Sequence, residues 1–325
     1  MLRIVAIGGG TGLSTLLRGL KTFARQSDVL DLTAIVTVTD DGGSSGRLRR
    51  EFDVLPPGDI RNCMVALSED ETMLTRLFQY RFTSGHGLKG HSFGNLFLMA
   101  LTHVTGDFAV AVKESSDILA SAGCIYPATA ANVILEAELE NGRIVRGETR
   151  ISRSRSPIKT LRLFPRVCRP LPETLKAIEE ADLITLGPGS LFTSIIPNLL
   201  VQGIAPAIRK SRALKACFVN LMWQPGETIG FRASDHLQAI VRHGGPQTVD
   251  VVVVNTKPIT PRQRKKYAVE ETQAVENDCE QLRNLGVDVV AAELLGRGEI
   301  VRHDPDRIAA IAMELAHKGA LRRQA

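Results

Sequence analysis

The chain lacks most of what would mark a secreted, membrane-spanning or metal-cluster protein. Its 325 residues include only five cysteines, Cys63, Cys124, Cys168, Cys217 and Cys279, scattered, odd in number and never in a Cys-x-x-Cys pair. That excludes a disulfide framework or zinc site and points to reduced thiols. Long apolar runs are missing too. No segment reaches the roughly 18 apolar residues of a spanning helix, and the opening "LRIVAI" is too short for a signal peptide. The expectation is a cytoplasmic protein with no membrane span. A net charge of +5 suits anionic ligands but makes no basic stripe, so no nucleic-acid partner is expected. With no Pro/Ser linker, low-complexity tract or repeat, residues 1–325 read as a single α/β domain.

What is present is a series of short, β-branched, apolar runs, the pattern of strands covered on both faces. They are Leu2–Ile7, Leu32–Thr39, Asp182–Gly187, Leu214–Leu221, Val249–Asn255 and Gly286–Leu294. Helical patterns fall between them at Ser14–Phe23, Thr72–Phe82, Ser92–Val104, Phe108–Ala122, Glu173–Ala181, Asp235–His243, Ala268–Leu285 and Pro305–His317. The alternation predicts a Rossmann-like, doubly wound, mostly parallel sheet with helices on both faces. Residues 132–167 differ: apolar and polar residues alternate around Asn141-Gly142, predicting a small antiparallel hairpin excursion. The basic end "HKGALRRQA" reads as a frayed helix terminus.

Chemistry concentrates at the carboxyl ends of these strands, where open α/β sheets place ligands. "GGGTGLST" runs from Gly8 to Thr15. Gly9, Gly10 and Gly12 let the backbone approach a ligand, Thr11 adds a hydroxyl, and the helix start presents free N–H groups to an anion. It completes neither the dinucleotide fingerprint nor a Walker loop. "TDDGGSSGR" follows the second run. Asp40 and Asp41 either hydrogen-bond a ribose or hold a hard cation. Gly42, Gly43 and Ser44 can form an anion nest, and Arg47 offers a fork for phosphate. Arg49 and Arg50 read as partners of Glu51 and Asp53. In "PPGDIRN", Asp59 either caps the helix expected from Ile60 or completes a cation site with Asp40 and Asp41; Asn62 closes the block.

Further along, Lys89, His91 and Ser92 stand before an apolar helix that carries Asn95 one turn in, a second anion cradle. His103, in the middle of that helix, reads as core. "LGPGS" supplies Gly187, Gly189 and Ser190, and "VNLMWQPGET" brings Asn220, Gln224 and Glu227 to another strand end. Several glycine turns on one sheet edge make a phosphate-bearing ligand the leading expectation.

The blocks "GGGTG", "VTVTDDGGSSGRLR", "PPGDIRN", "GHSFGNL", "LGPGSLFTSI" and "QPGET" together resemble the YvcK-type gluconeogenesis factors of the CofD-like superfamily. The resemblance covers Ile4 to Thr228 most strongly. It implies a cytoplasmic protein that binds a nucleotide sugar such as UDP-N-acetylglucosamine and serves cell shape and envelope-precursor supply during gluconeogenic growth. The phosphates would lie against Gly10, Thr11 and Gly12, with Gly42, Gly43 and Ser44 across the cleft and Asn95, Gly189 and Ser190 completing the lining. From residue type, Tyr267 is a candidate to stack on the base and Arg302 to reach the pyrophosphate. Helix packing for Tyr267, and pairing with Asp304 or Asp306 for Arg302, are the alternatives.

No activated nucleophile or base-and-orienter pair is evident, so the leading expectation is a binding regulator without turnover, recognised by a partner protein and requiring no cofactor. A homo-oligomer is left open. The alternative is a transferase moving a phospholactyl-type group from a nucleoside diphosphate donor to a deazaflavin acceptor, with Mg²⁺ on Asp40, Asp41 and Asp59. Those transferases carry a P-D-L-D-T type ending in the acidic block where this chain has "PPGDIRN", a departure that removes one carboxylate. A NAD-dependent oxidoreductase fits worst, because 28 residues separate Gly12 from Asp40 where about 20 are usual.

Overall fold

The computed structural model describes residues 1–26, 30–68, 73–154, 156–267 and 272–324, with Lys266 described by its backbone alone. Ten strands are present among them: β1 Leu2–Gly8, β2 Leu30–Val36, β3 Cys124–Pro127, β4 Ile134–Leu139, β5 Ile144–Arg146, β6 Ile158–Phe164, β7 Leu183–Leu186, β8 Leu214–Phe218, β9 Val251–Asn255 and β10 Asp288–Ala292. Seven of them form one sheet in the order β10-β9-β8-β7-β1-β2-β3, and every neighbouring pair is parallel. The chain builds outward from β1 through β2 to β3, then returns to the other side of β1 with β7 and continues to β10. A crevice therefore opens beyond the carboxyl ends of β1 and β7, where the winding reverses.

β1, β2, β7, β8 and β9 are buried because helices cover both faces. On one face the helix Gly10–Ala24 sets Leu13, Leu16, Leu17 and Leu20 into the core at i, i+3, i+4 and i+7, the spacing of one apolar helix stripe. Among the described residues no single helix is long and apolar enough to cross a membrane.

β4, β5 and β6 form a separate antiparallel sheet, order β5-β4-β6. The hairpin turns at Asn141-Gly142, with Gly142 at φ +79 and the Gly142 N–H donating to Leu139 O at 2.9 Å. This bears out the excursion expected for residues 132–167. It also contains a helix, Glu148–Ser152, that the alternating pattern hid.

Several boundaries differ from expectation. The second strand ends at Val36 rather than Thr39, so Asp40 and Asp41 sit on an irregular segment beyond it. "GGSSGRLRREF" is a helix over Gly43–Phe52 rather than a loop. A strand at Cys124–Pro127 was not expected; at four residues it carries too little pattern to see. Thr72, where one helix was expected to start, and 268–271, the start of another, lie outside the described residues. The first continues as Met73–Gln79. Among the described residues of the second, Cys279–Asn284 are helical, and the segment before them bridges Met222 through Ala274 and Arg232 through Glu276. The last helix runs from Pro305 to Gln324. Its end is not frayed: Arg322 pairs with Asp250 at 3.1 Å and Arg323 with Asp182 at 3.3 Å. His103 is exposed rather than in the core, its ring edge-on to Phe52 at 6.2 Å.

Candidate functional site

A cavity of about 390 Å³ lies at the crevice beyond β1 and β7. Its floor is two turns in contact. The first, Gly9 to Gly12, enters the helix Gly10–Ala24, whose N-cap residue Gly9 brings no side-chain cap and whose first turn carries no acidic residue; of its first amides, that of Gly10 is taken by Asp59. The uncapped N–H groups of Thr11 and Gly12 are therefore left for a ligand, with the positive end of the helix behind them. The second turn, Pro188 to Ser190, leads into a wide turn over Leu191–Ile195 in which the Ile195 N–H donates to Ser190 O at 3.0 Å. Such i→i+5 turns recur at functional sites. Gly12 shows why glycine is needed: a Cβ there would meet the Pro188 carbonyl oxygen at 2.4 Å and the Gly189 backbone at 2.6 Å.

The walls come from later strands. Asn220 and Gln224 follow β8, and the Gln224 side chain ties the walls together. Its Nε2 donates to Ser190 Oγ at 2.7 Å while its Oε1 accepts from Asn220 Nδ2 at 2.8 Å. Tyr267 ends the helix Pro261–Tyr267, and its hydroxyl accepts from the Val301 N–H at 3.1 Å, which fixes the ring at the cavity edge. Arg302 lines the same cavity, exposed and without an ion pair to Asp304 or Asp306. Of the sequence candidates, Gly9, Gly10, Thr11, Gly12, Gly189, Ser190, Asn220, Gln224, Glu227, Tyr267 and Arg302 thus share one hollow. Gly187 lies just beneath it, its N–H on Ile7 O at 2.9 Å.

A second group converges elsewhere and is already paired. Ser44 Oγ lies 2.9 Å from His91 Nδ1 and accepts from Asn95 Nδ2 at 3.2 Å. Ser92 caps the helix Phe93–Thr105 by accepting from the Asn95 N–H at 3.3 Å. Arg47 donates to Lys89 O at 2.9 Å. Burial, and then the Arg47 charge, lower the pKa of His91. Gly42, Gly43 and Ser44 are not among the residues that line the cavity; Gly42 caps the helix Gly43–Phe52, which Gly43 and Ser44 begin. Asn62 accepts from Arg61 and lies outside the cavity as well. Arg49 donates to Val133 O rather than to Glu51 or Asp53.

Between the two groups runs a row of carboxylates. Asp59 does not cap its helix, which begins at Gly58 with Pro57 preceding it and no side-chain cap. Its carboxyl instead accepts from the Gly10 N–H, and enclosure followed by the nearby Asp40 charge pushes its pKa up to about 7. Asp40 accepts from the Gly42 N–H at 2.8 Å, and burial raises its pKa. Asp41 is turned away, accepting from both Thr149 N and Thr149 Oγ1 at 2.9 and 2.6 Å. Glu148, beside that threonine, is pushed up to about 9 by burial and then by the charges of Asp40, Asp59, Glu227 and Asp41. Glu227 is driven to about 7 by burial, against hydrogen bonds from Thr193 Oγ1 at 3.1 Å and the Phe192 N–H at 3.2 Å.

Sequence reasoning missed Glu148 and Thr149, which reach the site from the antiparallel excursion. The one local signal was Gly147 before Glu148, at φ +94, where a Cβ would strike Asp41 Oδ2. Trp223 and His303 also line the cavity unforeseen. Among the described residues no three His, Cys, Asp or Glu side chains converge on a point that could hold a metal ion.

This geometry, a parallel sheet with a glycine-floored cavity at its winding reversal, defines a class, and comparison with known proteins places the chain within it. The family model for 2-phospho-L-lactate transferase CofD matches residues 4–295, and the chain belongs to that CofD family. Within the family it stands with the gluconeogenesis factors. A protein so named from Halalkalibacterium halodurans is 49% identical over 312 residues, covering 96% of this chain and 95% of that one. Another from Bacillus subtilis is 46% identical over 314 residues, covering 96% and 98%. The crystal structure of a Bacillus halodurans protein of the UPF0052 family superposes with a TM-score of 0.92 at 48% identity, covering 96% of this chain and 98% of that one.

Proposed function

We propose that the chain is a cytoplasmic binding regulator whose cavity takes a nucleotide sugar of the UDP-N-acetylglucosamine class. The bound form is the one a protein partner recognises, and through it the chain serves cell shape and envelope-precursor supply during gluconeogenic growth. One observation carries the reading: two glycine turns, the first with the Thr11 and Gly12 amides open, touch at the winding reversal and floor a single hollow walled by Tyr267, Arg302 and Gln224. A diphosphate suits the free N–H groups of that floor, the ring of Tyr267 suits a base, and Arg302 suits a phosphate oxygen. Binding acts by shifting the population toward the shape that holds the ligand.

Calorimetric titration with UDP-N-acetylglucosamine tests this. Saturable binding at one site per chain is expected, weakened about tenfold by Thr11→Ala through loss of a hydrogen bond to a charged group. No saturable heat, or equal affinity in the variant, would contradict it.

A second reading is favoured by the carboxylate row beside Gly10. It is a transferase that moves a phospholactyl-type group from a nucleoside diphosphate donor to a deazaflavin acceptor with Mg²⁺. The residues do not fit a preassembled cation site. Asp41 is bound to Thr149, Asp59 to Gly10, and among the described residues no three side chains of ligand type converge. No step is therefore derived through a metal. Product formed from a guanosine diphosphate donor and a deazaflavin acceptor would decide for this reading.

A further inference from the structure

At the opposite end of the sheet, beneath the amino ends of β8 and β9, lies a second cavity of about 430 Å³. Arg209, Arg212, Lys215 and Arg322 line it against a single carboxylate, Asp250. Three of these cations have local duties. Arg209 donates to Gly244 O, at the end of the helix Ala233–Gly244. Arg322 meets Asp250 Oδ2 at 3.1 Å, and Lys215 Nζ approaches the same oxygen at 3.6 Å. That oxygen also accepts from the Lys215 N–H at 3.0 Å. One carboxylate oxygen therefore serves two cations and an amide.

The remaining positive charge is not balanced within the cavity. Arg212 is exposed and makes no ion pair or side-chain hydrogen bond among the described residues. Lys215 is only 4% exposed and lines the cavity, so its ammonium has little water to stand in for missing partners. An ion pair at 3.6 Å is beyond hydrogen-bond length and leaves donors of that ammonium unspent. At the rim, Gln247 holds φ +64, a left-handed backbone that a long side chain seldom adopts and that tends to persist where a site requires it.

Termini of helices alone would explain basic residues here, since helix carbonyl ends gather at this side of a parallel sheet and attract cations. That explains Arg209. It does not explain a lysine buried in a strand, or a cavity lined by four cations and one acid.

We propose that this cavity is a second anion site, separate from the nucleotide cavity, that takes a small phosphate-bearing oxyanion. Lys215 forms its base, Arg212 and Arg322 close on the anion from either side, and the Gln247 amide donates from the rim. Free phosphate and the phosphoryl group of a small metabolite present the same chemistry to these donors.

The test is calorimetric titration of the full chain with inorganic phosphate and, separately, glucose 6-phosphate, at constant ionic strength set with chloride. Four proteins are compared: wild type, Arg212→Ala, Arg212→Glu and Thr11→Ala. Arg212 is exposed and unpaired, so its replacement leaves the fold intact, which the melting temperature checks. The expected result is saturable phosphate binding by wild type and by Thr11→Ala alike. Arg212→Ala weakens it about tenfold, and Arg212→Glu abolishes it. Tighter binding of the sugar phosphate than of phosphate identifies a metabolite as the occupant, and equal or weaker binding identifies free phosphate. Phosphate binding that survives Arg212→Glu but is lost in Thr11→Ala belongs to the nucleotide cavity and overturns the proposal. So does the absence of any saturable heat. Because the readout is phosphate at Arg212, the result stands or falls independently of whether a nucleotide sugar binds at the other end.

Discussion

Two regions of this protein share a vocabulary and use it differently. The Gly9–Gly12 floor and the Gly42–Ser45 helix start both follow strands, both are rich in glycine and hydroxyls, and both carry anion-cradle signatures. At the first, the Thr11 hydroxyl and the Thr11 and Gly12 amides remain unspent and border a cavity. At the second, Ser44 is locked between His91 and Asn95 in a buried set of hydrogen bonds. What separates a binding turn from a structural one is whether its donors already have partners. Composition does not record that.

Substitutions should separate the two regions. The largest effect is expected at the floor, where Gly12→Val would drive a branched side chain into the Pro188 carbonyl and the Gly189 backbone. A loss of about 3 kcal/mol, from overpacking against backbone that cannot yield, should appear in urea unfolding together with loss of nucleotide-sugar binding. If stability and binding both persist, the turns are not the rigid pair described.

The carboxylate row between the two regions gives the next effect. A carboxyl whose folded pKa stands above its unfolded value keeps a proton that the unfolded chain releases. Between those values stability therefore falls as pH rises. Asp59 and Glu227, raised to about 7, and Glu148, raised to about 9, make the chain more stable near pH 5 than near pH 9. The direction of that slope is measured by denaturant titration at each pH. Glu148→Gln should flatten the upper part of that slope; an unchanged slope would show that Glu148 ionises without penalty.

The smaller test sits in the paired region. Ser44→Ala leaves His91 Nδ1 without its partner and Asn95 Nδ2 with Ser45 Oγ at 3.5 Å, and should cost about 1 kcal/mol. Nucleotide-sugar affinity should not change, because Ser44 does not line the cavity. A loss of affinity without loss of stability would reverse the assignment of the two regions.

The contrast also marks how far the sequence could be read. Strands such as Val251–Asn255 announce themselves by unbroken β-branched runs, and six of the seven strands of the parallel sheet were legible that way. Of the residues lining the cavity, Gly9, Gly10, Thr11, Gly12, Gly189 and Ser190 were legible because glycine turns at strand ends fall side by side once the sheet is parallel; Asn220, Gln224 and Glu227 were legible as a strand end on the same edge, and Tyr267 and Arg302 by residue type alone. Glu148 and Thr149 were not. They reach the site on the short helix Glu148–Ser152, and only the tertiary path of the excursion points it back toward Asp41. The helix Gly43–Phe52 was hidden by its own glycines and serines, poor helix formers that tertiary packing overrides. By position alone Asp59 suits either a cap or a cation site; its partner, the Gly10 N–H, lies far away in the chain.

The most direct measurement is a crystal structure of the chain soaked with UDP-N-acetylglucosamine. The expected density places the diphosphate on the amides of Thr11 and Gly12 and beside Ser190, with the uracil near Tyr267. Density for that ligand anywhere else, or an empty cavity at saturating concentration, would contradict the account of the two touching turns as a nucleotide-sugar floor.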